Sequence, residues 1–286
     1  TRGAWDMYEE ILYDVDERIA TITLNRPDKL NAVTDLTQQE MRHAMATAEM
    51  DEDVVGIILT GAGRGFCAGV DMGSLSQIQE AGEISAMRVE TDLERLEPGD
   101  KSMGPDFASG YAYLLTVRKP ILAAVNGACA GLGLSIAMFC DLRFASEKAV
   151  FLTSFAQRGL VAEHGNSWIL PRLIGPSRAL DILWSGRRVS GEEAVTLGIA
   201  NRVFPPDELI AETRAYIRSL VETASPTSLM HMKQMVYRHL MLDLGPAMKE
   251  INAIQDRSVR WPDFQEGIAS FVERRPPRFP PLHPDD

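Results

Sequence analysis

The sequence predicts an α/β fold, and three observations lead to that class. Apolar segments with the spacing of β-strands alternate with segments of helical spacing through the first part of the 286 residues. Two of the predicted strands run directly into glycine-rich turns. The last part of the chain shows helical patterns only. We therefore expect a core of strand-turn-helix units and a C-terminal helical layer.

The first unit begins with a strand at residues 18–25, where apolar and polar residues alternate and Ile and Thr are frequent. Thr34 is a suitable N-cap for a helix that extends to Met50. The continuous apolar run at 54–60 is typical of a strand covered on both faces, and it stops at a glycine-rich turn. This unit therefore contains two strands and one helix.

A second unit repeats this order. The apolar run at 121–125 predicts a buried strand, and the small residues at 126–133 predict a tight turn. A helical stretch follows to Phe139, and the patterns at 141–145 and 149–151 indicate two short strands.

From Asn166 onward the pattern is helical. Helices are predicted at 168–173, 176–185, 190–197 and 206–223, with three more after Pro226. We divide the chain into a core at 1–204, a helical region at 205–275 and a tail at 276–286 that is too rich in proline to fold alone.

Residues 73–108 separate the two units and are polar and acidic. Gly99, Gly104 and Pro105 would break any long helix in this segment. We therefore expect a mobile flap or a pocket cover.

Composition and charge exclude several classes of function. The formal net charge of −11 disfavours a general nucleic-acid binder. The apolar stretch at 121–142 contains Asn126 and Asp141 together with several glycines, so it does not predict a membrane helix. The five histidines form no cluster with metal-ligand spacing, and the three cysteines fit core thiols of a reducing compartment. Residues 1–6 lack a secretory signal pattern, so a cytoplasmic protein is expected.

The two glycine-rich turns, at 65–71 and 130–133, are the first candidates for chemistry. Glycine lets a backbone approach a ligand closely and expose its N–H groups. If the turns lie side by side, one N–H from each could stabilise a negative oxygen in a transition state. The alternative is that both are ordinary tight turns after strands, and spacing alone does not decide between the two.

Four motifs in order are similar to those of a known family. They are the segments 25–32 (NRPDKLNA), 65–71 (GFCAGVD), 126–141 and 185–190 (SGRRVS). Together they resemble the enoyl-CoA hydratase/isomerase (crotonase) family from about residue 8 to residue 275. The resemblance implies a crotonase-like spiral of repeated ββα units, with a C-terminal helical layer that packs between subunits as a homotrimer or a dimer of trimers. It also implies an acyl-CoA thioester as the substrate, coenzyme A as part of that substrate, and no prosthetic group.

The same resemblance assigns residues to the site. The backbone N–H groups of Ala68 and Leu132 would form an oxyanion hole, the second at a helix N-terminus that also favours negative charge. The thioester and pantetheine channel would be lined by Ala68, Gly69, Val70 and Asp71, and the Lys29-Leu30 loop would lie against the nucleotide end. Phe271 and Arg274 match a segment that reaches coenzyme A, often from a neighbouring subunit.

The acid/base residues depart from the hydratase pattern. At the two positions where hydratases carry glutamates, this chain has Ser135 and Phe155, which cannot act as carboxylate bases. Ser135 is expected instead to make room for the acyl chain. Glu163 lies in a segment that resembles the one carrying the single catalytic glutamate of 3,2-enoyl-CoA isomerases. An alternative is that Glu163 is a solvated surface acid, and His164 beside it is more often a packing residue than a catalyst.

Three functions therefore remain open. The first is an isomerase that shifts the double bond of a 3-enoyl-CoA through a dienolate, with Glu163 as the proton shuttle. The second is a hydratase that adds water to a 2-enoyl-CoA in fatty-acid degradation. The third is a non-catalytic acyl-CoA-binding protein that kept the fold and lost the acids.

Overall fold

The computed structural model describes residues 7–82 and 91–283. The strands in these ranges are β1 (Ile11–Asp16), β2 (Ile19–Leu24), β3 (Gly56–Gly61), β4 (Gly65–Cys67), β5 (Ile121–Val125), β6 (Ala128–Ala130), β7 (Leu142–Ser146), β8 (Val150–Leu152), β9 (Val189–Ser190) and β10 (Arg202–Phe204). The helices are α1 (Asp35–Met50), α2 (Met72–Ala81), α3 (Leu132–Phe139), α4 (Asn166–Ile174), α5 (Pro176–Ser185), α6 (Gly191–Leu197), α7 (Leu209–Thr223), α8 (Pro226–His239), α9 (Leu244–Ser258) and α10 (Pro262–Glu273).

The strands form two sheets. One has the order β1-β2-β3-β5-β7-β10 and the other has the order β4-β6-β8-β9. Each of β3, β5 and β7 in the first sheet is followed directly by a short strand of the second sheet, and two of these pairs are followed by α2 and α3. Neighbouring strands from β2 to β10 in the first sheet are parallel, which requires crossover connections. The predicted spiral of ββα units is therefore confirmed.

The core occupies both faces of the first sheet. The larger cluster lies among the two sheets, α1, α3, α4 and α5, and includes the fully buried Ile57, Phe66 and Ile136. A smaller cluster on the other face joins Ile58 and Phe144 to residues of α7. Helix α7 therefore packs against the sheet, although it belongs to the region predicted to begin at residue 205.

Periodicity located the main elements correctly. Helix α1 ends at the predicted residue and has Thr34 as its N-cap, where the Thr34 hydroxyl accepts a bond from the amide of Thr37. The short strands β1, β9 and β10 were not predicted. The division of the chain at residues 204 and 275 stays a prediction, and its ends at 1–6 and 284–286 lie outside the described residues.

The flap predicted at 73–108 is wrong in part. Its start forms α2, which has Asp71 as its N-cap, and its end is anchored in the core. Met103 and Phe107 are each only 5% exposed, because they supply apolar surface that the larger cluster buries. Residues 83–90 of the predicted flap lie outside the described residues.

Candidate active site

Two asparagine side chains, of which Asn31 is buried and Asn126 is partly buried, hold the first glycine-rich turn in place. The Asn31 side-chain amide donates to the carbonyls of Ala62 and Gly65 at 2.9 and 2.8 Å. The Asn126 amide donates to the carbonyls of Gly61, Gly63 and Gly65 at 2.8, 3.0 and 3.2 Å. Backbone carbonyls of a turn have no ladder partners, so these side chains satisfy them and fix the path of the loop.

Glycine allows the two predicted turns to approach each other closely. A Cβ at Gly133 would lie 2.3 Å from the carbonyl oxygen of Cys67, so a side chain there would push α3 away from β4. Gly69 has a φ of +109°, and a Cβ there would lie 3.7 Å from the amide nitrogen of Leu132. The turns at 65–71 and 130–133 are therefore adjacent, which the hypothesis of one N–H donor from each turn required.

The amide of Val70, and not that of Ala68, is free at this junction. The Ala68 N–H donates to the carbonyl of Leu30 at 2.9 Å. The prediction of Ala68 as an oxyanion donor is therefore wrong, because its hydrogen bond holds the loop together. Within residues 7–82 and 91–283, the amides of Val70 and Leu132 donate to no protein acceptor. Leu132 is the first residue of α3, where helix geometry leaves the N–H without an intrahelical partner.

A cavity of about 290 Å³ opens at these two amides. Its walls include the predicted site residues Lys29, Ala68, Gly69, Val70, Leu132 and Glu163. Arg158, which the sequence analysis missed, also lines it and adds a second cation beside Lys29. A single arginine in a loop gives no sequence signal, so only the fold brings Arg158 to the cavity. Two cations favour an anionic ligand at that end.

Glu163 is the one carboxylate among the described residues that line this cavity. Its side chain is 28% exposed, and one carboxylate oxygen lies 4.0 Å from Nε2 of His164. Backbone bonds fix the loop on both sides: the Glu163 N–H donates to Val161, and the Glu163 carbonyl accepts from the amide of Asn166 at 3.0 Å. These observations favour the interpretation of Glu163 as an acid of the cavity wall over its interpretation as a fully solvated surface acid.

His164 also lines the cavity, and its side chain is partly buried, with 28% of its surface exposed. Burial lowers the pKa of its imidazole, and the nearby Glu163 carboxylate opposes this effect only partly. The ring is therefore neutral at pH 7. Its backbone has a φ of +53°, a left-handed conformation that is uncommon outside glycine and asparagine.

Neither hydratase position supplies an acid. Phe155 lines the cavity with an apolar ring. Ser135 is fully buried, and its hydroxyl donates to the carbonyl of Gly131 and accepts from the side-chain amide of Asn166 at 2.6 Å. Ser135 thus ties α3 to α4, and the expectation that it makes room for an acyl chain is wrong.

Four other predicted site residues lie outside the cavity wall. The Asp71 carboxylate caps α2 and pairs with Arg26 at 3.1 Å. Burial raises the pKa of Asp71, but hydrogen bonds from Gly73 and Arg26 outweigh burial, so the net shift of the pKa is downward.

The Leu30 side chain packs against Gly65. Phe271 is 83% exposed on α10 and Arg274 follows that helix, so within one chain neither lines the cavity.

The described residues supply no evident alternative chemistry. Burial raises the pKa of the Cys67 thiol to about 12, so it carries no thiolate at neutral pH. Among residues 7–82 and 91–283, no three side chains are grouped so that they could hold a metal ion. In the same ranges no helix has both the length and the apolar character for a bilayer crossing.

Fold and pocket together define a class of protein: a crotonase-type α/β spiral with a ligand cavity at two free main-chain amides. A family model described as enoyl-CoA hydratase/isomerase matches residues 14–281. The chain belongs to this enzyme family.

Relatives agree with this assignment. A probable enoyl-CoA hydratase of Mycobacterium bovis is 31% identical and matches 95% of this chain and 98% of the relative. The 1,2-epoxyphenylacetyl-CoA isomerase of Escherichia coli is 30% identical over 96% of this chain and 99% of its own length. A solved enoyl-CoA hydratase subunit of Geobacillus kaustophilus has a TM-score of 0.79 at 33% identity, covering 95% of this chain and 98% of that one. Names of both hydratases and isomerases therefore occur among the relatives.

Proposed function

We propose that this protein is an isomerase that moves the double bond of a 3-enoyl-CoA to the 2-position. The thioester carbonyl accepts bonds from the amides of Val70 and Leu132, and Glu163 transfers the proton. Lys29 and Arg158 in the cavity wall favour the anionic coenzyme A.

The reaction needs one base and one oxyanion site. The Glu163 carboxylate removes a proton from C2, the C–H electron pair forms a double bond between C1 and C2, and the carbonyl pair moves onto the thioester oxygen to give a dienolate conjugated with the C3–C4 double bond. The two amides stabilise the negative charge on the thioester oxygen, and each such donor contributes roughly 3–4 kcal/mol. The protonated Glu163 then returns the proton at C4, which leaves the double bond between C2 and C3.

The observation that best supports the isomerase proposal is the number of carboxylate side chains in the cavity wall. Its wall carries Glu163 and no second carboxylate among the described residues. Two-carboxylate addition of water would need acids where Ser135 and Phe155 stand. One carboxylate that reaches both C2 and C4 satisfies the isomerase reaction.

The experiment compares Glu163→Gln with the wild-type protein on 3-hexenoyl-CoA. Formation of the conjugated 2-enoyl thioester is followed by its ultraviolet absorbance. We expect kcat to fall about 10²- to 10⁴-fold, because the amide cannot accept the proton. Glu192→Gln, at an exposed position of α6, is the matched control and should keep wild-type turnover.

A hydratase is the second candidate, because several relatives carry that name. Rapid hydration of 2-hexenoyl-CoA with little conversion of 3-hexenoyl-CoA would select it. Tight binding of both thioesters without any turnover would select the non-catalytic acyl-CoA-binding protein. Isomerisation that persists in Glu163→Gln would remove the proton shuttle from the proposal.

A further inference from the structure

A second cavity adjoins the proposed thioester site. Its volume is about 550 Å³, larger than the 290 Å³ of the first cavity. Four aromatic rings and one thioether dominate its wall: Phe107, Tyr111, Phe139, Trp168 and Met241. His164 lines both cavities, so the two cavities are neighbours at the residue that follows the candidate base Glu163.

The aromatic walls are held in position before any ligand binds. The Tyr111 hydroxyl donates to Gln38 at 2.9 Å, and its ring meets His164 edge-on at 6.4 Å. The Arg172 guanidinium lies 4.1 Å from the centre of the Trp168 ring. Rings fixed in this way offer broad apolar surface at little cost in conformational entropy.

Glycine at position 165 lets one of these walls come close to the backbone. A Cβ at Gly165 would lie 2.6 Å from the ring of Phe139. The phenyl ring therefore packs directly on the loop that carries Glu163 and His164. This contact places an aromatic wall beside the candidate base.

The wall carries little charge. Asp106 and His164 are its titratable side chains among the described residues, apart from the Tyr111 phenol, and it includes no lysine or arginine. A carboxylate at the end of an acyl group would meet no lysine or arginine in this wall, which already carries the Asp106 carboxylate. The cavity thus selects against acyl groups with a terminal negative charge.

We propose that the second cavity takes the distal end of the acyl group, and that this end is uncharged and carries an aromatic or alicyclic ring. The inference rests on the proposed function for the position of the thioester. Pockets of about 300–1,000 Å³ hold drug-sized ligands, so a short linear chain would leave much of this space unfilled. Unfilled space gives up dispersion contacts that a ring would make with the four aromatic walls.

The test compares three substrates that differ only in the distal group: 3-hexenoyl-CoA, 5-phenyl-3-pentenoyl-CoA and the carboxylate-bearing 3-hexenedioyl-CoA. We expect kcat/KM for the phenyl substrate to exceed that for hexenoyl by about 10-fold or more. The carboxylate substrate should fall below hexenoyl by about 10-fold or more. Equal kcat/KM for all three would overturn the inference and leave the isomerase proposal standing.

Substitutions in the wall of the second cavity test whether this cavity causes the preference for the phenyl substrate. Trp168→Ala should lower kcat/KM about 10-fold for the phenyl substrate and less than about 2-fold for hexenoyl. Met241→Trp fills the same cavity from the turn between α8 and α9 and should have the same selective effect if Trp168→Ala does not fold. Trp184→Ala, at a ring that is 71% exposed on α5, is the control and should change neither substrate. Parallel losses on both substrates in both wall variants would contradict the assignment.

Binding of unreactive thioethers separates this inference from the proposed function. Calorimetry with hexyl-CoA and 5-phenylpentyl-CoA needs no turnover. If no enoyl-CoA is converted but the phenyl thioether binds about 10-fold more tightly and Trp168→Ala removes the difference, the cavity assignment stands and the isomerase proposal fails. Equal affinity of the two thioethers would sink the assignment whatever the protein catalyses.

Discussion

At the scale of single residues, the proposed chemistry depends on two main-chain N–H groups that no side-chain substitution removes directly. Ala68 and Val70 are two positions apart, yet only the second amide is free, because the first is bonded to Leu30. A donor that is already oriented and lacks a protein partner costs nothing to reorganise when an oxyanion forms. The hydrogen-bond pattern of the loop therefore decides which amide can act.

Replacement of Val70 by its α-hydroxy acid tests this directly, since an ester linkage keeps the side chain and removes the N–H. We expect kcat to fall about 10²- to 10³-fold with little loss of stability. The matched replacement at Ala68 removes the bond to Leu30, so it should lower the unfolding free energy by about 1 kcal/mol. Steady-state kinetics and urea unfolding measure the two effects. The reverse pattern would restore Ala68 as the donor.

His164 makes a separate contribution at the residue scale, through pH. Burial lowers the pKa of His164 in the folded protein below its unfolded value, with Glu163 opposing. As pH falls through about 6.5, the unfolded chain therefore binds the proton first, and stability decreases until the folded pKa is passed. His164→Asn, which tolerates a positive φ, should show a smaller loss of stability between pH 7 and pH 5. Urea midpoints at several pH values measure the slope, and an unchanged slope would contradict the assignment.

At the scale of elements, loops and short strands carry the site while long strands and helices support it. Asn126 begins the turn after β5 and bonds three carbonyls of the turn around β4. Strand β4 has three residues, so its own ladder gives little stability. The side-chain amide of Asn126 thus links two ββα units at the point where the free amides meet.

Asn126→Ala should therefore affect stability and catalysis together. The carbonyls of Gly61 and Gly63 lose the donor that Asn126 supplies, whereas Gly65 keeps the bond from Asn31. We expect a loss of about 1–3 kcal/mol in unfolding free energy together with a lower kcat. Denaturant unfolding and turnover of 3-hexenoyl-CoA provide the measurements. Asn252→Ala, at an exposed position of α9, should change neither quantity. Full activity in a destabilised Asn126→Ala protein would show that the loop positions the Val70 and Leu132 amides without the hydrogen bonds of Asn126.

Periodicity predicted the elements that bury a regular face. Helix α1 and strands β2, β3 and β5 were found because each repeats its apolar residues with a helical or strand period. Strands β4 and β6 have three residues each and lie among glycines, so they were interpreted as parts of glycine-rich turns. The anchored end of the predicted flap was missed because Met103 and Phe107 are isolated apolar residues in a polar segment.

The site was predictable only where sequence position fixes chemistry. Leu132 and Glu163 were named from motif register and both line the cavity, while their catalytic roles stay predictions. The choice between Ala68 and Val70 was not accessible, because any residue type offers the same N–H and only the fold shows which one is bonded. Likewise, Arg158 lies in the cavity wall because of the path of its loop, and the residues around it in the sequence do not predict that path.

At the scale of the whole molecule, the net charge of the protein has the same sign as the charge of its proposed ligand. The chain carries a net charge of −11, and the proposed coenzyme A substrate is an anion. Lys29 and Arg158 supply local positive charge in the cavity wall, and physiological salt screens charges farther away than roughly 8–10 Å. An acidic molecule can therefore still attract an anion at one place on its surface.

The exposed apolar surface predicts assembly into a larger particle. Large apolar side chains are exposed along the C-terminal helices: Met232, Val236, Leu244, Met248, Ile268, Phe271 and Val272. Monomers rarely expose apolar surface so extensively in one region, so we propose that these helices pack between copies of the chain as a trimer or a pair of trimers. Sedimentation should then give about three or six times the 31.6 kDa of one chain.

Charge substitution on that surface tests the assembly. Val236→Glu combined with Leu244→Glu should yield a smaller species at the same concentration, because the buried interface would contain unpaired carboxylates. Met7→Glu, at a side chain that is 53% exposed before β1, is the control and should leave the particle mass unchanged. Circular dichroism confirms that both variants are folded. A wild-type protein that sediments as one chain would remove the proposed role of these helices, and Phe271 and Arg274 would then have no neighbouring subunit whose coenzyme A they could reach.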